Sequence, residues 1–311
     1  MSFDLIMRSR LEKDHLVKSL ERWFSERPHY EVENGQAFYE NEDTAVHFIF
    51  EFGGEPYFEG SDEHDVVFLL NYNRPSPFVL QAADELDPLI DAFGFTVMDP
   101  QLEEADLRPW SREAFVSSYL DHAEKSFRTV FSKAYADEGI AVTYAPSALL
   151  TKVWQWNNGK ARLRDWLSDQ GRDVFVPTAA IISHRGETTS AIVWTDDVPT
   201  AMPAFDYVLH FRYEMAPRKF FGLGPRRRSY ELLPRTEILA LLQKHYSTRS
   251  EFPGVLFPNE DDSAALRDAI GFDRLSDNSQ IFYGDKLNLI SDPDAPRTIA
   301  FDEVIDREFI E

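Results

Sequence analysis

Cysteine is absent from the 311-residue chain. Its absence excludes disulfides, zinc-thiolate sites, iron–sulfur clusters and a cysteine nucleophile, and it accords with a reducing compartment. Basic residues are scarce over one long region: from His29 to Leu107 there are 19 acids and a single base, Arg74. The whole chain carries 54 Asp and Glu against 32 Lys and Arg, a formal charge of −22. Such a molecule repels phosphate backbones and anionic bilayers and attracts cationic surfaces, so nucleic acid is not the expected direct partner. Long apolar runs are missing as well. No stretch approaches the ~18 residues of a spanning helix. The opening MSFDLIMRSRLEKDH lacks the apolar segment and small-residue cleavage site of a secretion signal. A soluble, cytoplasmic protein with no membrane association is expected.

Catalytic signatures are equally sparse. The eight histidines form neither H-x-H nor H-E-x-x-H. There is no G-x-S-x-G elbow, and Ser117-Ser118 falls within a helical pattern, which disfavours a serine hydrolase. P-loop and G-x-G-x-x-G patterns are missing, and Gly222-Leu223-Gly224-Pro225 has too few glycines to replace them. The most acidic region contains no lysine, so it cannot supply the carboxylate-and-lysine set of a restriction-type nuclease. No cofactor is expected.

What is present is ample core material. Hydrophobic residues make up 43% of the chain and phenylalanine occurs 25 times, enough to offset the conformational entropy of folding. The length suits two domains. The patterning predicts a strand at SFDLIM, a helix from about Glu12 to Arg27, and a hairpin around Asn34-Gly35. TAVHFIFEF places Val46, Phe48, Phe50 and Phe52 on one side and His47, Ile49 and Glu51 on the other, and DVVFLLNYN reads as a central strand. A helix follows Pro75/Pro77, then a short strand FTVM and a long helix capped by Ser111 and stopped at Gly139. In the second half, a helical region from Ala148 to Leu167 is expected to break at Asn157-Asn158-Gly159. Strands are expected around DVFVP, TTSAIVWT and FDYVLHFRYE, and a helix after Pro234. A short helix between Asp262 and Gly271 and a closing strand QIFYG complete the pattern. The fold class is α+β: two tightly packed domains, residues 1–145 and 146–311, each a mostly antiparallel sheet with helices. The first carries a formal −17 and the second −5.

Three places are candidate sites. EFGGEPYFEGSDEHD (51–65) brings Glu55, Glu59, Asp62, Glu63 and Asp65 together without a cation. It lacks the D-x-[DN]-x-[DN]-G spacing of a calcium loop, so its alternatives are a solvated loop and an anionic docking face. Asp196 and Asp197 lie just beyond a strand end, where paired carboxylates serve acid/base or metal chemistry as readily as turn chemistry. Arg212 on the next strand is their candidate counter-ion. RYEMAPRKFFGLGPRRRSYE opposes the general charge with Arg218, Lys219, Arg226, Arg227 and Arg228, either as a plain exposed loop or as a second partner-binding pole. Trp154 and Trp156 are either core residues or pocket walls.

SFDLIMRSR, the aromatic-rich acidic sheet region and WTDDVPTAMPAFDYVLHFR resemble the cytoplasmic immunity proteins of bacterial polymorphic-toxin and type VI secretion systems. The resemblance implies an antitoxin without catalytic activity. Its partner would be a basic protein, a cognate nuclease toxin whose nucleic-acid-binding surface it occupies. By their charge, and not by the resemblance, Glu55, Glu59, Asp62, Glu63, Asp65 and Arg226 to Arg228 are the expected partner-binding residues. The alternative class is an enzyme acting on a small molecule through Asp196 and Asp197.

Overall fold

The computed structural model describes residues 2–52, 65–139, 142–195, 198–214, 227–259, 280–283 and 297–309. The chain divides into two compact units, Met1–Leu150 with Phe301–Glu311, and Thr151–Ala300. Both are α+β.

Alternation in the first half becomes strands with one covered face. β1 (Ser2–Arg8), β2 (Tyr30–Glu33), β3 (Gln36–Asn41), β4 (Val46–Phe52), β5 (Val66–Asn71) and β6 (Thr96–Met98) form one sheet ordered β2-β3-β4-β5-β1-β6. Every neighbouring pair in it is antiparallel. Val46, Phe48, Phe50 and Phe52 are all buried, as their two-residue period requires. Helices α1 (Lys13–Ser25), α2 (Pro77–Phe93) and α3 (Arg112–Ser126) cover this side. Phe24 of α1 lies 5.0 Å from Phe50 between ring centroids, and Phe115 of α3 lies 5.8 Å from Phe68. Gln81 of α2 donates to Tyr39 Oη at 2.7 Å.

The β2–β3 hairpin turns through Asn34 (φ 51°) and Gly35 (φ 77°). Positive φ at both central positions is the twist-matched two-residue turn. Gly35→Ala is expected to cost about 1 kcal/mol, since a Cβ there is strained; a lowered urea midpoint at unchanged m-value would register it. Ser111 Oγ accepts from Ala114 N at 3.2 Å and caps α3 as expected. The helix continues through a π turn at Phe127–Phe131 into α4 (Ser132–Glu138), and Gly139 (φ 66°) ends it.

Residues 301–309 return to the first unit, whereas the expected boundary at 145/146 places them with the second. The C-terminal strand β16 (Val304–Asp306) pairs in parallel with β7 (Thr143–Ala145). Arg74 Nη1 donates to Asp302 O at 2.8 Å, Ser76 N to Asp306 Oδ2 at 3.0 Å and Ser147 Oγ to Glu308 Oε2 at 2.6 Å. Partners this distant in the chain leave no trace in local patterning.

The second unit contains most of α5 (Ser147–Asp169), then β8 (Ala179–His184), β9 (Glu187–Thr195), β10 (Tyr207–Glu214), β11 (Arg227–Pro234) and α6 (Arg235–His245). A two-stranded sheet of β12 (Tyr246–Arg249) and β13 (Phe252–Pro258) follows, then β14 (Gln280–Tyr283) and β15 (Arg297–Ile299). Its main sheet is ordered β14-β11-β10-β9-β8-β15, antiparallel except between β9 and β10.

Several local expectations change here. α5 runs unbroken through Asn157-Asn158-Gly159. Asn157 is buried, its Nδ2 donates to Ala179 O at 3.0 Å, and its Oδ1 accepts from Ala179 N at 2.9 Å. These two bonds outweigh the weak helix preference of asparagine. DVFVP forms a single bridge, Phe175 to Thr200, in place of a strand. QIFYG supplies β14 on the edge of β11 and does not close the chain, because β15 and β16 follow it. The expected helix between Asp262 and Gly271 lies outside the described residues. Among the described residues no helix is long and apolar enough to cross a membrane.

Candidate interaction surface

Helices occupy one side of the first sheet, so the opposite side is defined by the alternate residue of every strand. Register places Glu31 opposite Phe38, Phe38 opposite Ile49, Ile49 opposite Leu69 and Leu69 opposite Asp4. Five strands thus present one transverse row with three apolar residues in the middle and a carboxylate at each end. Phe38 is 37% exposed, enough to offer ring surface to a partner. Ile49, Leu69 and Asp4 are half-buried, and Glu31 is exposed. A neighbouring row runs Glu33, Gln36, Glu51, Val67, Ile6 and Met98. Val67 and Ile6 in that row are buried. Glu40 lies opposite His47 on the other flank.

Toward β2, β3 and β4 the charge on this side is acidic except at the His47 flank, where Arg74 Nη2 lies 3.2 Å from His47 Nε2. Glu31, Glu33, Glu40 and Glu51 lie there, with Asp4 on β1. The only lysine or arginine on these five strands is Arg8, at the far end of β1. Burial pushes the Asp4 carboxyl up, the Ser2 hydroxyl opposes this, and the field of Glu51 adds to it. Carboxylates crowded on a sheet face repel one another, and a cationic surface laid over them relieves that repulsion.

The acidic stretch 51–65 leaves this sheet at Phe52 and re-enters at Asp65. The exit adjoins the hairpin turn, where Phe52 N donates to Gly35 O at 2.7 Å. Glu55, Glu59, Asp62 and Glu63 lie outside the described residues. Asp65 is described, and it is not the exposed charge expected of it. It is half-buried, its Oδ2 accepts from Ser9 N at 2.7 Å, and its own N–H donates to Met7 O. It ties the start of β5 to the end of β1.

Asp196, Asp197 and Arg226 lie outside the described residues. Arg227 and Arg228 open β11, paired in register with Glu214 and Tyr213. Arg212 pairs in register with Ser229. Trp154 is a buried core residue, whereas Trp156 is only partly buried and lines a surface groove. Ser118 is buried within α3 and its hydroxyl is engaged by Asp99 Oδ2. Among the described residues no three metal-ligating side chains converge.

The outer face of the sheet was only half legible in sequence. The alternation of His47, Ile49 and Glu51 against the phenylalanines marks a second side to β4. Which residues of five strands fall into one row depends on register, which a sequence does not print. Comparison with protein-family models, with characterised proteins and with solved structures finds no significant match to this chain.

Proposed function

We propose that the chain is an immunity protein that binds and neutralises a basic partner, a nuclease toxin, through the outer face of its first sheet. The observation that carries this reading is the row Glu31–Phe38–Ile49–Leu69–Asp4, an apolar centre between carboxylates. Buried aromatic and aliphatic anchors supply most interface energy, while flanking charges speed encounter and exclude wrong partners. The regional surplus of 19 acids over one base from His29 to Leu107 extends the attraction beyond the contact itself. A toxin that cleaves nucleic acid presents a cationic groove, and such a groove is the complement of this face. Inhibition requires occupation alone, so the reading calls for no catalytic group.

The test is a tagged pull-down from the native cells at low and high salt, followed by co-expression. The captured basic protein should arrest growth when produced alone and be harmless when produced with this chain. Reversing Glu31, Glu33 and Glu40 to Lys should weaken the complex at least ~100-fold at low salt, mostly through the association rate. Phe38→Ala should instead raise the dissociation rate, by roughly tenfold or more. Both variants should keep the wild-type melting temperature within a few degrees. Protection by the charge-reversed variant equal to that of the native chain would overturn the assignment.

A further inference from the structure

The second unit carries a groove that the partner-binding reading leaves unused. Residues Gln155, Trp156, Gly159, Arg162 and Leu163 share one face of α5, at helical spacings. They form one wall, and Phe252, Pro253 and Val255 of β13 form the other, around a cavity of about 230 Å³. That volume lies below the usual ~300–1,000 Å³ of drug-sized pockets, so its occupant is small.

Gly159 is the informative residue. Glycine inside a helix costs about 1 kcal/mol relative to alanine. Its backbone is not in the left-handed region, and a Cβ built on it would meet nothing within 4 Å. Neither conformation nor packing therefore requires glycine here. Its effect is to leave helix backbone bare along the groove wall, where a flat ring can approach closely. Trp156 is held for such a contact, because its indole Nε1 donates to Pro177 O at 2.7 Å. Leu163 and Val255 belong to the buried cluster beneath, with Trp156 and Phe252 packed against it.

Among the described residues Arg162 is the one charged residue in the lining. Its guanidinium carbon lies 5.7 Å from the Phe252 ring centroid, and it makes no ion pair among the described residues. Among the described residues no carboxylate lines the groove. In a chain of charge −22 this is a local site where an anion is not repelled. We propose that the groove between α5 and β13 binds a small aromatic carboxylate, its ring on Trp156 and the Gly159 backbone and its charge on Arg162. The carboxylate belongs either to a free aromatic acid or to the C-terminal aromatic residue of a peptide.

The full-length chain should be titrated calorimetrically with 2-naphthoate, with neutral 2-naphthamide, and with Gly-Gly-Phe bearing a free or an amidated C-terminus. Saturable one-site binding of naphthoate or of the free-acid peptide is expected, at least tenfold weaker for the neutral counterpart. Which of the two binds identifies the source. Arg162→Gln should reduce affinity to that of the neutral ligand. Gly159→Leu should abolish binding while its melting temperature stays at or above that of the native chain. No saturable binding by either acid overturns the proposal, as does affinity indifferent to Gly159→Leu or to the ligand's charge. A melting temperature lowered by Gly159→Leu would transfer the decision to Arg162→Gln, an exposed position. Because the groove and the acidic sheet face lie in different units, failure of one leaves the other standing.

Discussion

Asp306→Asn is expected to stabilise the protein at pH 7.5 by about 1–3 kcal/mol and to lose that advantage at pH 4. Asp306 is fully buried on β16. Burial raises its carboxyl from 3.8 to about 6, against the opposing hydrogen bonds from Ser76 and with a further push from Glu308. Its Oδ2 accepts from Ser76 N, but Oδ1 has no hydrogen-bond partner among the described residues. The folded pKa is raised above the unfolded one, so the native state holds its proton more tightly. Asp306's contribution to stability is therefore greatest below about pH 4, falls as pH rises from about 4 to about 6, and is level above that. A difference of roughly two pKa units corresponds to about 3 kcal/mol. Asparagine keeps an acceptor for Ser76 N and removes the buried charge; its unpaired amide N–H accounts for the lower end of the range. Thermal melts of both proteins from pH 4 to pH 8 should diverge through this window. Parallel curves would mean that Asp306 is solvated in a way its burial does not indicate.

Asn157→Ala should act against helix propensity. Alanine is the better helix former by roughly half a kilocalorie per mole, yet the substitution should destabilise the second unit by about 2–4 kcal/mol. The side chain of Asn157 bonds both the N–H and the C=O of Ala179, and its removal leaves two buried backbone groups unpaired where β8 begins. The adjacent Asn158 is exposed and carries no such duty, so Asn158→Ala should be neutral or stabilise by a few tenths of a kilocalorie per mole. Urea denaturation of the two variants, one residue apart on the same helix, would separate the tertiary contribution from the local one. Equal midpoints would show that the Ala179 bonds contribute little.

The same pair of residues shows how far a sequence can be read. Asn157-Asn158-Gly159 is a poor helical run on propensity, which favours a break there. Tertiary bonds from Asn157 hold the helix through it. Asp65 makes the complementary point: in a run of acids it looks like one more solvated charge, but a single N–H from Ser9 turns it into a structural tie.

What the sequence determined by itself was whatever depends on near neighbours. The phenylalanine period of β4, the Asn34-Gly35 turn, the Ser111 cap, the Gly139 stop and the acidity of the first half all follow from spacing and backbone preference over a few residues. Tertiary structure alone decided which strands lie side by side, and therefore that Phe38, Ile49 and Leu69 share a row with carboxylates at its ends. It also decided that residues 301–309 complete the first unit, with Asp306 buried beside Ser76. Register and chain return are set by the summed burial of whole sheet faces and by hydrogen bonds between residues far apart in sequence. No local pattern encodes either.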